Sequence, residues 1–246
     1  MVYMGSKSKY AQYIAPILQK AINDRGVSLY IEPFVGGANM IDKIKCERRI
    51  GYDRSDTLIA LLCQARDDFS KVLPEGSREL WDKGKGYAKD GIMPEDMTLA
   101  DIGAIEFFAS FSSRGFPGGY ANNTAGHDYF HERRNNLKKQ APALNGIEFY
   151  QSNYYDLPMP KDAVIYCDPP YANTKHYGYA SQEKMDYVRF WNWVRELSKE
   201  NYVFVSEQVA PDDFDMIWEM GVRRTNDVNN KVRATEKLFR YKDGLK

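Results

Sequence analysis

The chain is predicted to fold as an α/β protein, a mostly parallel sheet with helices on both faces. Three features of its 246 residues carry that expectation. Short apolar runs alternate with amphipathic stretches of helical period near both ends of the chain. The runs end in turns built on Gly, Pro, Asp or Asn. One segment of roughly 75 residues interrupts the alternation and is too long for a simple loop. In such folds ligands sit beyond the carboxyl ends of the strands, so the chemistry is sought in the turns that follow them.

Taken in order, Tyr10 to Arg25 sets Ile14, Ile17, Leu18, Ala21 and Ile22 on one helical stripe, interrupted by Pro16 and stopped by Gly26. Leu29-Tyr30-Ile31 is a short strand that runs into the turn Glu32-Pro33-Phe34-Val35-Gly36-Gly37-Ala38-Asn39. A second strand ends at Asp53, and an apolar helix runs from Thr57 to about Asp67. The interruption, residues 71–146, is rich in Gly, Asn, Asp, Lys and Arg around a helical island near Asp101 to Phe111, and is expected to be a separate recognition lobe. Strands resume at Ile147 to Tyr150, Ala163 to Cys167 and Tyr202 to Ser206. Between the last two, Met185, Val188, Trp191, Val194 and Leu197 recur every three residues on a helix expected to cover one sheet face.

Composition narrows the setting. With 43% apolar and 14% aromatic residues the chain can bury one sizeable core and still carry an elaboration. Met1 to Lys9 lacks an apolar run, and no stretch reaches the ~18 apolar residues of a membrane span, so a cytoplasmic protein is expected. Cys46, Cys63 and Cys167 are odd in number and lack metal-ligand spacing, which reads as buried thiols in a reducing compartment without structural zinc. The formal charge of zero argues against a protein that coats nucleic acid. Its distribution is uneven: Arg133, Arg134, Lys138 and Lys139 cluster, and Arg223, Arg224, Lys231, Arg233, Lys237, Arg240, Lys242 and Lys246 crowd the C-terminal tail. Both groups read either as solvated faces or as a local basic surface.

Two turns carry chemistry. Gly36-Gly37, after a strand and before a helix, lets the backbone approach a ligand closely, but the Gly-x-Gly-x-x-Gly spacing of a dinucleotide fingerprint is absent. Asp53, about 20 residues further at the end of the next strand, suits a carboxylate that accepts from both ribose hydroxyls of an adenosyl group. Asp168-Pro169-Pro170-Tyr171 is far more specific. A residue before proline is pushed to extended backbone, so Asp168 and Pro169 form a stiff arm presenting a carboxylate and a carbonyl oxygen on the same side. An exocyclic purine amine is a poor nucleophile because its lone pair is delocalised into the ring. Accepting both of its N–H bonds favours a pyramidal nitrogen and frees that pair. Tyr171 supplies a flat face for a base extruded from a duplex.

With these motifs on the page, the chain resembles the DNA adenine methylase family, the Dam-type (D12 class) N6-adenine methyltransferases of bacteria and their phages, over nearly its whole length. Tyr3-Met4-Gly5-Ser6-Lys7 is similar to the family's N-terminal motif, with Ser6 where the second glycine is usual. The resemblance gives Tyr3 and Lys7 contacts to the cofactor, together with Glu32, Phe34, Gly36 and Gly37 of the turn, Asp53 on the ribose, and Asp168. Asn153 stands where an acid is usual after the third strand, beside Tyr154, and both are assigned to the cofactor on the same ground. Asp168, Pro169, Pro170 and Tyr171 are the catalytic residues so implied. The implied fold is a Rossmann-like class I S-adenosylmethionine-dependent methyltransferase, with 1–70 and 147–246 as the catalytic domain and 71–146 as an inserted target-recognition domain. The implied cofactor is S-adenosylmethionine, released as S-adenosylhomocysteine, with no metal. The implied partners are double-stranded DNA and, in a restriction–modification setting, a cognate restriction endonuclease; no membrane is involved. Val203 to Pro211, with Ser206-Glu207, resembles the segment flanking the target-base pocket.

Within the interruption, Arg114-Gly115-Phe116-Pro117-Gly118-Gly119-Tyr120 combines a guanidinium suited to guanine O6 and N7 with two aromatics and close-approach glycines. Arg114, Phe116 and Tyr120, with Arg133, Arg134, Lys138 and Lys139, are the DNA-contacting candidates, and Tyr129 and Phe130 lie in the same stretch. His127 and His131 share i, i+4 spacing but lack the glutamate of a zinc-protease helix and a nearby third ligand, so no metal is assigned. The expected reaction is direct in-line attack of an adenine N6 amine on the sulfonium methyl. N4 of cytosine or an RNA target would suit the same tetrapeptide, and a nucleic-acid-binding module with an inactive fold is the alternative outside the class.

Overall fold

The structure, a computed structural model, describes residues 1–3, 5–121, 127–171, 185–222 and 234–245. Among them β1 (Leu29–Glu32), β2 (Arg48–Asp53), β3 (Ile147–Gln151), β4 (Ala163–Cys167), β5 (Tyr202–Ser206), β6 (Phe214–Val222) and β7 (Ala234–Tyr241) form one sheet. Its order is β3-β2-β1-β4-β5-β7-β6. The first five strands run parallel, and β7 lies antiparallel between β5 and β6. Strand order reverses between β1 and β4, which places a crevice at their carboxyl ends. This is the Rossmann-like α/β fold expected from the sequence, with an antiparallel pair of strands added at one edge.

Six helices are described: α1 (Ala11–Arg25), α2 (Asp56–Asp67), α3 (Arg78–Asp90), α4 (Leu99–Phe108), α5 (Tyr129–Gln140) and α6 (Tyr187–Leu197). Alternation along the strands sorts side chains onto two faces. Tyr30, Val164, Tyr166, Phe204 and Leu238 face a core shared with α1, α2, α4 and α5, whereas Ile31, Ile165, Cys167, Val203, Val205 and Phe239 face α6. The stripe that α6 buries is Phe190, Trp191, Val194 and Leu197, and Val188 is 74% exposed. A helix with 3.6 residues per turn drifts off a strict three-residue repeat, which corrects the expected stripe at Val188.

Residues 71–146 depart from the expected separate lobe. Helix α4, apolar apart from Asp101 and Glu106, buries Ile102, Ala104, Ile105, Phe107 and Phe108 in the same core as Leu58, Leu61 and Tyr30. It crosses α2 so closely that a β-carbon on Gly103 would lie 2.2 Å from the carbonyl oxygen of Thr57. The remainder of the segment is anchored to α4: Phe116 packs on Trp81 at 4.8 Å, and Phe130 meets Phe108 edge to face at 5.4 Å. The composition of 71–146 is polar because its outer faces are wet, while its inner faces complete the main core.

One carboxyl is carried into that core. Glu106 on α4 accepts a 2.7 Å hydrogen bond from the Thr57 hydroxyl, and burial pushes its pKa up to about 7, with Asp56 adding to the rise. The folded state therefore holds a proton that the unfolded chain has released. Stability falls as pH rises from about 4.5, the ordinary value, to about 7, and levels off above it. In chemical denaturation Glu106→Gln should flatten this slope relative to wild type, with a difference between the two proteins on the order of 2 kcal/mol across the window. Parallel curves would mean that Glu106 ionises freely.

Candidate functional site

Alternation also assembles the site. Glu32 at the end of β1, Tyr166 and Asp168 at the end of β4, and Ser206 at the end of β5 follow the parity of the α1–α2 face. Glu236 joins them from β7, two residues before Leu238 on that face. The polar residues sit at the strand exits and the apolar ones deeper, so the crevice is floored by carboxylates and hydroxyls. Tyr30 donates to Glu32 at 2.7 Å, and the hydroxyls of Tyr166 and Ser206 lie 2.8 Å apart. Burial holds the Glu32 carboxyl well above its ordinary value against that hydrogen bond.

Lys7 closes the crevice from the N-terminal segment. Its ammonium lies 2.7 Å from Asp168 Oδ1 and 3.8 Å from Glu236 Oε1, and sits 4.5 Å from the centre of the Tyr171 ring. Burial raises the Asp168 carboxyl, and the Lys7 ammonium opposes that rise. Burial likewise works against the charge on Lys7, but Asp168 and Glu236 outweigh it and hold the ammonium above its ordinary value. The Tyr171 hydroxyl donates to Glu236, and the Tyr187 hydroxyl donates to the carbonyl of Pro170. The Asp168–Tyr171 arm is thus fixed at three points: by Lys7 on the acid, by Tyr187 on the backbone and by Glu236 on the ring.

Beside it the turn after β1 is braced by Asp53, whose two oxygens accept from the amides of Gly36 and Ser55 at 3.1 Å each. Gly36 has φ +48, and a β-carbon there would press on the Tyr3 ring at 3.0 Å. Only glycine meets both demands. Tyr3 itself packs on Phe107 of α4 at 5.6 Å. Tyr3, Lys7, Glu32, Gly36, Gly37, Asp53 and Asp168 therefore gather around the carboxyl ends of β1, β2 and β4.

Other expected site residues are placed differently. Tyr154 is a buried packing residue, with ring contacts to Phe34 at 5.3 Å and Phe190 at 5.7 Å on the α6 face, and Asn153 is the half-exposed member of that pair. Arg133 is corrected outright as a DNA contact. It is 7% exposed and its guanidinium donates to the carbonyls of Phe108 and Ser110, so it ties α5 to the end of α4. Arg134 is half-buried, bonded to the carbonyls of Leu73 and Val72 and lying 4.8 Å from the Phe69 ring centre. Phe116 is buried and offers no free face to a base, whereas Tyr120 is half-buried, its ring meeting Trp81 at 5.5 Å. Lys138 and Lys139 are exposed, and Arg114 is half-buried in the loop between α4 and α5.

Of the tail, Arg223, Arg224, Lys231, Arg233 and Lys246 lie outside the described residues, as does Met4 of the N-terminal motif. Arg240 lies 5.3 Å from the Phe204 ring centre, and Lys242 donates to the Asp212 carbonyl at 2.7 Å. Those two cations thus serve the fold. His131 pairs with Asp128 at 2.6 Å, and His127 stacks on Tyr129. All three cysteines are free, Cys167 fully buried and the other two partly. No described helix is long and apolar enough to cross a membrane. Glu236 and Tyr187 are the site residues that sequence reasoning missed. Glu236 alternates with Leu238 beside the half-buried cations Lys237 and Arg240, a period-2 signal short enough to pass for a charged tail.

No protein-family model matches the chain. No curated protein is found to match it. Among solved structures it is similar to the rRNA methyltransferase aviRa from Streptomyces viridochromogenes, at 10% identity and a TM-score of 0.39, covering 93% of this chain and 84% of that one.

Proposed function

We propose that the chain is a site-specific, adenine-specific DNA methyltransferase that moves the methyl group of S-adenosylmethionine to N6 of adenine in duplex DNA. The observation that carries the reading is the Asp168-Pro169-Pro170-Tyr171 arm, fixed at the carboxyl end of β4 beside a glycine turn and a ribose-type acid. The residues fit the cofactor. Gly36 presents bare backbone where a side chain would collide with Tyr3, and Asp53 keeps lone pairs for two hydroxyls beyond the amides it already accepts. When bound there, S-adenosylmethionine supplies a methyl group on a sulfonium.

The chain's own part is positioning and fixed polarity. Lys7 holds Asp168 through Oδ1, and Oδ2 together with a carbonyl of the proline pair accepts the two amine hydrogens of the substrate base. Tyr171, locked by its hydroxyl, provides the stacking face for the extruded base. The test is incubation of the protein with methyl-labelled donor and unmethylated DNA, followed by nucleoside mass spectrometry. N6-methyladenine is expected; N4-methylcytosine or labelled RNA would reassign the substrate, and absence of any methylated nucleoside would overturn the reading.

Asp53→Ala should weaken donor binding by about 2 to 3 kcal/mol, roughly 30- to 150-fold in Kd, because two charge-assisted hydrogen bonds are lost. Calorimetry measures it, and excess donor should partly restore turnover. Unchanged affinity would move the pocket elsewhere.

For DNA, Arg114→Ala should relax base choice at one position of the methylated site by about 1 to 3 kcal/mol while donor affinity stays the same. Removing the exposed charges of Lys138 and Lys139 should weaken binding evenly across sequences and flatten its salt dependence. Sequencing of methylated sites separates the two effects; an unaltered site with Arg114→Ala removes it from base reading.

A further inference from the structure

Lys7 faces two carboxylates, at 2.7 Å for Asp168 and 3.8 Å for Glu236, and lysine and Glu236 are each 7% exposed at the side chain. One cation between two anions leaves the group with a net negative charge, a costly arrangement in a half-dry crevice unless a further positive charge arrives. Glu236 occupies that place because β7 runs antiparallel beside β5, with Leu238 opposite Ser206. Its other link is the Tyr171 hydroxyl, whose ring lies under the Lys7 ammonium. The charged and titratable groups facing it are Lys7, Asp168, Tyr171, Tyr10, Tyr166 and Glu207. The reaction as described uses Asp168 and Tyr171 and leaves Glu236 without a part.

We infer that Glu236 is a positioning residue for methyl transfer, which fixes Tyr171 through its hydroxyl and, as second counter-ion of Lys7, keeps the group net negative toward a sulfonium. The inference rests on the proposed function, which puts a sulfonium donor beside Asp168. The spent donor is a neutral thioether, so the same charge favours loading of the donor over retention of the product. The charge and the Tyr171 bond are separable, because a shorter acid keeps the first and loses the second.

The experiment is calorimetry of wild type, Glu236→Gln and Glu236→Asp with S-adenosylmethionine and with S-adenosylhomocysteine, alongside methylation rates on DNA. Glu236→Gln should lower the preference for the sulfonium by about five- to twentyfold, all of it through weaker sulfonium binding, with thioether affinity within about twofold of wild type. Its kcat should fall about tenfold or more. Glu236→Asp should keep the sulfonium preference and still slow transfer, since its carboxylate no longer reaches the Tyr171 hydroxyl. A residue that only supports the fold would weaken both ligands alike or lower Tm without moving their ratio. An unchanged ratio in Glu236→Gln, or a lost ratio in a folded Glu236→Asp, overturns the inference while the proposed function stands. Failure of wild type to bind either ligand overturns the proposed function and the inference with it.

Discussion

Asp168→Ala is expected to all but abolish methyl transfer, lowering kcat by about 10²- to 10³-fold, while leaving the fold in place and weakening donor binding only about five- to twentyfold, as loss of the charge on Glu236 does. A carboxylate that accepts from the reacting amine contributes where charge develops, and losing one such preorganised partner typically costs about 3 to 4 kcal/mol in the transition state. The fold should survive for a local reason. Truncating Asp168 removes a carboxyl that burial disfavours, and the ammonium it leaves behind retains Glu236 at 3.8 Å, so no buried cation is stranded. Asp168→Asn separates shape from charge: it keeps the side-chain volume but presents a donor to half of the amine, and should be nearly as inactive. Rates from label transfer and affinities from calorimetry measure both variants. Turnover of Asp168→Ala within about tenfold of wild type would show that the arm is structural.

What was legible in the sequence follows from where each residue sits. Strands β4 and β5 are legible at Ala163 to Cys167 and Tyr202 to Ser206, the bounds the structure shows, because central parallel strands are buried on both faces and appear as short continuous apolar runs. Strands β6 and β7 are not legible as strands in the sequence. They pair antiparallel at the sheet edge, where exposed Asp215 and Glu219 and half-buried Lys237 and Arg240 resemble a charged tail. Glu236 was lost with them, since its meaning comes from the neighbouring β5 and not from its own segment.

Arg133 stands apart from the basic cluster for a different reason. In α5 the buried residues are Phe130, Arg133, Leu137 and Gln140, a helical stripe in which Arg133 holds a core position. Charge pointed it to solvent, whereas its period pointed inward. Period is the stronger guide here, because a long guanidinium can bury its stem and end on backbone carbonyls.

Gly103→Ala should be the most damaging of single-methyl changes to stability, costing about 3 kcal/mol or more and lowering Tm by roughly 6 to 12 °C. Alanine is ordinarily favoured over glycine inside a helix by about 1 kcal/mol, so the expectation runs against propensity. What outweighs it is the 2.2 Å approach of the new methyl to the Thr57 carbonyl, with the Thr57 carbonyl carbon at 2.9 Å and the Leu61 β-carbon at 3.1 Å. Backbone cannot rotate away as a side chain can, so α4 must lift off α2, and the contacts of Ile102, Ile105 and Phe108 loosen together. Gly86 in α3 is the internal control, since a methyl there meets nothing within 4 Å and should add about 0.5 to 1 kcal/mol. The pair also tests whether residues 71–146 stand apart from the sheet. A segment with its own core would lose its own transition in Gly103→Ala and leave donor binding at the strand ends untouched. A shared core lowers one common transition, and because Tyr3 rests on Phe107 of the same helix, donor affinity weakens with it. Stabilisation of Gly103→Ala to the level of Gly86→Ala would show that the two helices do not meet.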